Sequence, residues 1–533
     1  MAPAAVKAAP IAIDGGQIEG SQIGALRVFK GIPYAAAPTG PLRWRPPQPA
    51  PAWRGVRKAN SFSPACPQLG SYPPDAPTEP TSEDCLALNV WAPAMNGAGK
   101  LPVMVWIHGG SLMNGSGSVP QYAGEQLAAR GVIVVTINYR LGVLGFLAHP
   151  QLNKESRYGV SGNYGLLDQI AALKWVKRNI AAFGGDPDQV TIFGQSSGSF
   201  SASILASTPL ARGLFRRAIG ESGAVFEPVE LDPRFTPNGA AEIGVGFANK
   251  AGAKSVADLR KMPVATLLKQ RFNPQFNIDG HVIPASPHDA YEAGKQNDVD
   301  LLVGTNASEG SFFFDPASVT VGNFDSVLGR TYPSLLLKAV GAKPGNTDAD
   351  ARRAAVATDT DIRFRWGMWA WARHALNSGK SRVFFYRFSG APAYRPGHPY
   401  FGLGPTHGAE MPYVFGYLDK GAADWTSQDQ ALASTIQQYW TNFAKSGDPN
   451  GPGLPRWPRF DNRRTMVMEL GQEVRAAPLT DDARLKRIDR VYAVARFVNK
   501  YLYFLIAAAA VLFILVVAMA VRFLLRLKAR LPA

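Results

Sequence analysis

A doubly wound α/β fold, with a mostly parallel central sheet and helices on both faces, is predicted for this 533-residue chain by three observations. Short runs of β-branched, aliphatic and aromatic residues recur at 101–107, 131–139, 190–193, 215–219, 299–304 and 383–386. Most of them are predominantly apolar, as strands buried on both faces are. Between two of them, Ile170, Leu173, Trp175, Val176 and Ile180 recur at helical spacing before Phe183-Gly184-Gly185 ends the helix. One run then passes through Gly194-Gln195-Ser196-Ser197-Gly198 into the small residues of a helix start. Strand, helix, strand, turn, helix is the order of parallel strands joined by crossover helices.

The turn at 194–198 is the first element with chemistry. A strand, then Gly-x-Ser-x-Gly, then a helix forms a nucleophile elbow, so tight that only glycine fits two residues either side of the serine. Ser196 is therefore the predicted nucleophile. The helix that follows brings free N–H groups and a positive dipole end beneath any negative charge that develops there. Upstream, the strand 101–107 runs into His108-Gly109-Gly110-Ser111, where a backbone N–H must approach a substrate oxygen with no side chain in the way. His108 reads as structural.

A triad of this topology runs serine, acid, histidine along the chain. Asp168 precedes Ser196 and is read as a helix-start or supporting residue. The strand 299–304 leads to Thr305-Asn306-Ala307-Ser308-Glu309-Gly310, so Glu309 is the predicted acid and Asp315 the runner-up. Of seven histidines only His374, His398 and His407 follow Glu309. His374 lies in a helical Trp/Arg-rich segment and His398 between Gly and Pro. His407 lies in Thr406-His407-Gly408-Ala409-Glu410 after the strand 383–386, in chain order for a general base, and a family resemblance points to it.

Taken together these segments resemble the type-B carboxylesterases, the α/β-hydrolase family that includes the cholinesterases. Phe29-Lys30-Gly31-Ile32-Pro33-Tyr34-Ala35, Gly40-Pro41-Leu42-Arg43-Trp44 and Ser82-Glu83-Asp84-Cys85-Leu86-Ala87-Leu88-Asn89-Val90-Trp91 look like its opening and second signatures. The resemblance runs from about residue 11 to about residue 470. It implies an α/β-hydrolase fold with cap insertions, a Ser196, Glu309, His407 triad and an oxyanion hole of the N–H groups of Gly110, Ser111 and Ser197. It places Gln195 and Ser222 beside the triad. The departures are Gln195 for Glu, Ser197 for Ala, Ser111 for Gly or Ala, and Ala87 for an aromatic or Thr. The 66–85 loop also lacks the Trp that cholinesterases use for a quaternary ammonium, which argues against choline esters.

Cys66 and Cys85 are the two cysteines. By themselves they read either as a surface-loop disulfide or as two buried thiols, spaced too widely for a CxxC site. The resemblance implies that they are bridged.

The net charge of +16 raises the question of nucleic acid. From Asp481 onward, however, ten Lys/Arg face three Asp, so +7 of it sits in the last tenth of the chain, and no nucleic-acid-binding motif is present. Residues 501–521 are 21 residues without a charge. They would extend about 32 Å as a helix and span a bilayer. The expected organisation is thus a hydrolase domain over 1–480, a basic juxtamembrane helix over 481–500, a transmembrane helix over 501–521 and a basic tail over 522–533. No signal peptide is evident at the N-terminus, so a single-pass C-terminal anchor with the enzyme on the cytoplasmic face is expected, or on the other side if Cys66 and Cys85 are bridged.

The expected activity is hydrolysis of carboxylic esters through an acyl-enzyme, with a small-molecule ester and the lipid bilayer as partners and no metal or cofactor. A lipase acting on membrane lipids shares this chemistry. A non-catalytic esterase-like adhesion protein, of the neuroligin kind, is opposed by the intact Ser196, Glu309 and His407.

Overall fold

The computed structural model describes residues 6–94, 99–419 and 421–528. Twelve strands among these form one sheet, in the order Val6–Lys7, Ser21–Ile23, Leu26–Pro33, Ala87–Pro93, Ile133–Ile137, Leu101–Ile107, Gly185–Gln195, Arg217–Glu221, Asp300–Asn306, Val383–Phe388, Met466–Leu470 and Val474–Pro478. Every pairing from Ile133–Ile137 across to Met466–Leu470 is parallel, and those at both ends are antiparallel. This is the α/β-hydrolase architecture.

The parallel strands are buried on both faces, which is why their sequences do not alternate. In Leu101–Ile107, Val103, Val105 and Ile107 pack into one core with Ile170 and Leu173 of the helix Tyr164–Asn179. Met104 and Trp106 pack into the other, with Trp440 and Phe443 of the helix Ser427–Ser446. Period-two side-chain geometry thus divides one apolar run between two cores.

Two stretches rise over the ends of the parallel strands. One is the expected cap, which includes the helix Pro237–Lys250, started by the Thr236 hydroxyl accepting from the Gly239 N–H. The other, absent from the sequence expectation, runs through the helices Phe324–Gly329, Ser334–Val340 and Asp348–Thr360 to a π-helical turn at Asp361–Arg365. Cys66 and Cys85 form a disulfide that closes a loop beside the same strand ends.

The C-terminal expectations need correction. A single helix, Asp482–Lys528, runs through the stretches expected over 481–528, and 529–533 lie outside the described residues. Its start is docked on the domain. Leu485 and Ile488 are fully buried, Arg484 pairs with Asp361 at 2.7 Å, and the Arg487 Nε donates to the Ala339 carbonyl at 2.9 Å. Arg484 and Arg487, two of the basic groups counted in this stretch, are therefore held by protein acceptors. The side chains at 503, 505, 507 and 509 lie outside the described residues, and among those described no helix is long and apolar enough to cross a membrane. The transmembrane span, the bilayer as partner and the membrane localisation expected from the sequence are corrected accordingly.

Candidate active site

Ser196 sits where the strand Gly185–Gln195 gives way to the helix Ser197–Leu205, with φ 55° and ψ −125°. That is a costly conformation for a residue with a Cβ, and tertiary contacts hold it. The Ser196 N–H donates to the Glu221 carbonyl of the neighbouring strand at 2.9 Å. Gly198 is required by its surroundings, since a Cβ there would lie 1.9 Å from the Ile107 carbonyl oxygen.

The strand Leu101–Ile107 delivers the second loop. Gly110 has φ 102°, and a Cβ on it would meet the Asn114 carbonyl oxygen at 2.2 Å. Ser111 and Leu112 also have positive φ, 57° and 59°. The Leu112 N–H donates to the Ser197 Oγ at 3.2 Å, tying this loop to the elbow. Ser197 opens its helix, so its own N–H is one of those with no partner inside the helix. Ser111, Leu112 and Ser197 line the same cavity as Ser196, with Gly110 next to Ser111 in the loop. His108 is buried and stacked on Tyr139 at 4.3 Å, and burial lowers its pKa to about 4. It is a neutral packing group.

Glu309, fully buried, begins the turn that follows the strand Asp300–Asn306. Its Oε2 lies 2.6 Å from His407 Nδ1, and its Oε1 accepts from the Ser222 hydroxyl at 2.5 Å and from the Asn306 N–H at 2.6 Å. A carboxylate with both oxygens taken in this way is fixed in position and fixes the imidazole in turn. Its bond to Nδ1 requires the proton on that nitrogen and leaves Nε2 as the acceptor. Phe364 stacks on the His407 ring at 4.6 Å, and Phe313 lies at 5.1 Å.

His407 Nε2 meets the Gln195 Nε2 amide at 3.3 Å, and among the described residues no hydrogen bond joins it to the Ser196 Oγ. The Gln195 Oε1 accepts from the Tyr72 hydroxyl at 2.6 Å, which orients the amide with its N–H groups toward the histidine. Burial pushes the Tyr72 phenol well up, with the charges of Glu410 and Glu309 adding, so Tyr72 remains a donor. Catalytic contacts of this kind are often loose before substrate binds.

Beside the Glu309–His407 pair, Asn306 Nδ2 donates to the Thr406 carbonyl at 2.6 Å and also to Glu410, joining the loop of Glu309 to that of His407. Burial raises Glu410 well above the carboxylate range, with repulsion from Glu221 and Glu309 adding. Burial likewise raises Glu221 to about 8, against the donation of Trp440 Nε1 at 2.8 Å.

The remaining candidates lie elsewhere. Asp168 is fully buried in a bidentate pair with Arg140, 2.8 Å on each arm. Asp315 is exposed and caps the short turn Pro316–Ser318. His398 Nε2 lies 3.4 Å from Asp75. His374 pairs with Glu292 at 3.2 Å, and together with His288 these bring ligand atoms within 4.8 Å of one another. None of those three lines the cavity that holds Ser196. Tyr72, Asn306 and Glu410 were given no role by the sequence. Asn306 and Glu410 were visible as parts of the motifs around Glu309 and His407, whereas Tyr72 carried no signal.

Ser196, Ser197, Ser111 and Leu112 open onto a cavity of about 840 Å³. Phe200, Phe235, Phe276, Phe313, Ile362 and Phe364 give it apolar walls. Volume and lining are those of a small-molecule site.

An α/β-hydrolase sheet with a serine elbow opening on an apolar cavity suits an acyl-group hydrolase, and the comparisons with known proteins narrow it to a carboxylic ester hydrolase. The model of the carboxylesterase family matches residues 7–488. The fumonisin B1 esterase of Sphingopyxis macrogoltabida is 38% identical over 476 residues, covering 86% of each chain. The para-nitrobenzyl esterase of Bacillus subtilis is 36% identical over 85% of this chain and 93% of its own. The solved structure of a thermophilic p-nitrobenzyl esterase superposes with a TM-score of 0.78 at 34% identity, covering 90% of this chain and 99% of that one. This chain belongs to the carboxylesterase family and is a serine carboxylesterase.

Proposed function

We propose that Ser196, His407 and Glu309 form the catalytic triad and hydrolyse carboxylic esters through an acyl-enzyme. The observation that carries this reading is the Glu309–His407 pair, 2.6 Å apart and fully buried, with Nε2 turned to the Gln195 amide, next to Ser196 in the elbow. Substrate displaces the Gln195 amide from Nε2, and Ser196 Oγ attacks the ester carbonyl as its proton passes to that nitrogen. Glu309 stabilises the resulting imidazolium. The carbonyl oxygen, now negative, takes the N–H groups of Gly110, Ser111 and Ser197, each worth roughly a hundred- to a thousandfold in rate. Nε2–H then protonates the departing alkoxide, and water, activated by the same nitrogen, releases the acid. The two esterase relatives are named for different substrates, so specificity belongs to the cavity. Its aromatic walls favour an ester with a large apolar substituent.

The test is hydrolysis of p-nitrophenyl esters from acetyl to palmitoyl. Turnover is expected, with kcat lower by about 10⁶-fold in Ser196→Ala. Preference for the longest chains would move the reading to a lipase. Undiminished turnover in the variant, or none in the folded wild type, would overturn it.

A further inference from the structure

The cavity that holds Ser196 is completed by Val491, Tyr492 and Ala495, from the helix Asp482–Lys528. These residues lie beyond residue 488, where the match to the carboxylesterase family ends. With Ile488 they recur at i, i+3, i+4 and i+7, one face of a helix. Ile488 is fully buried in the domain, and the next turns of that face look into the cavity.

The helix is held there by its own contacts. Arg496 Nε pairs with Glu230 at 2.9 Å, and the same guanidinium donates to the Phe226 carbonyl. Phe226 and Glu230 flank Glu227 and Pro228, which line the cavity from the cap. The Arg496 side chain is only 13% exposed and that of Glu230 22%, so the pair is shielded from solvent. The Tyr492 ring stands edge-on to Trp366 with centroids 4.5 Å apart. The cap and the C-terminal helix are thus stapled together over the cavity.

We infer that the C-terminal helix is a wall of the substrate pocket and that Tyr492 and Ala495 set the size of the apolar ester substituent the enzyme accepts. The inference rests on the proposed role of Ser196, which opens onto the same cavity. Tyr492 supplies a flat apolar surface, and Ala495, being small, leaves room beside it. A larger side chain at 495 would fill part of the pocket, and removing the ring at 492 would enlarge it.

The experiment compares kcat/KM for p-nitrophenyl octanoate and p-nitrophenyl acetate, and for hexyl and methyl acetate, in the full-length protein. Ala495→Trp is expected to lower the long-to-short ratio by about tenfold in at least one series, and Tyr492→Ala to raise it, opposite shifts that a general loss of folding would not produce. Val494→Ser, at a position 61% exposed on the outer face of the same helix, should leave both ratios at the wild-type value. Unchanged ratios in both Ala495→Trp and Tyr492→Ala, with Ser196-dependent hydrolysis intact, would overturn the inference. Hydrolysis that does not depend on Ser196 would instead overturn the reading on which it rests.

Discussion

The elbow end of the sheet and the wall opposite it differ in what holds them. At the elbow, position is set by backbone sterics: Gly198 against Ile107, Gly110 against Asn114, and Ser196 bonded to the Glu221 carbonyl. On the wall, position is set by long-range ion pairs, Arg484 with Asp361 and Arg496 with Glu230, between segments more than a hundred residues apart. The first arrangement leaves little room for change. The second is adjustable, and the cavity it borders is where esterases of one chemistry can diverge in substrate.

The largest effect is expected at Glu309. Glu309→Gln keeps the shape but loses the charge that holds the Nδ1 proton, and kcat is expected to fall by about 10⁴-fold with little change in KM. A loss of less than tenfold in steady-state kinetics would place the acid elsewhere.

Stability and pH probe the buried carboxyls below the elbow. Glu221 is raised from its ordinary 4.5 to about 8 by burial. It binds a proton in the folded state that the unfolded chain has released. Its contribution is therefore fully present below pH 4.5 and lost as pH rises to about 8. Glu221→Gln retains an acceptor for Trp440 and has no proton to lose, so its gain in Tm over wild type should be larger at pH 8 than at pH 5, by about 2 °C or more. Equal gains at the two values, in thermal melts, would show that the folded protein holds Glu221 ionised.

A smaller effect belongs to Gln195. Gln195→Glu would set a negative charge against His407 Nε2 and favour the imidazolium, so the acid limb of the kcat/KM profile should move to higher pH, by about one unit. An unmoved limb would mean that the side chain at 195 turns away from the histidine. Smallest is Arg484→Ala on the wall. Asp361 keeps Arg365, so a cost of about 1 kcal/mol is expected in denaturant unfolding, with KM changed more than kcat. The reverse split would make the wall part of the rigid catalytic end.

The same division explains what the sequence made legible. The strands, the elbow, the glycine-rich loop after Ile107 and the motifs around Glu309 and His407 are local patterns, each dictated by backbone conformation within a few residues. Tyr72 reaches Gln195 across 123 positions, and nothing near Tyr72 announces that contact. Arg484, Arg487 and Arg496 read as a basic patch before an apolar run because their acceptors, Asp361, Ala339 and Glu230, are distant in the chain. Charge counting along one segment cannot see such partners. The second half of the cap was missed for a similar reason, since its short helices make sense only when packed over the cavity.

If Ser196 is the nucleophile, a reagent that captures activated serines will label it covalently. The protein would be treated with a p-nitrophenyl alkylphosphonate, which leaves a stable adduct on an activated serine, and the site mapped by tandem mass spectrometry. One adduct per chain is expected, on the peptide carrying Ser196, with none in Ser196→Ala and none after substitution of His407 by Ala. An adduct on another residue, or turnover that persists after Ser196 is fully blocked, would contradict that role for Ser196.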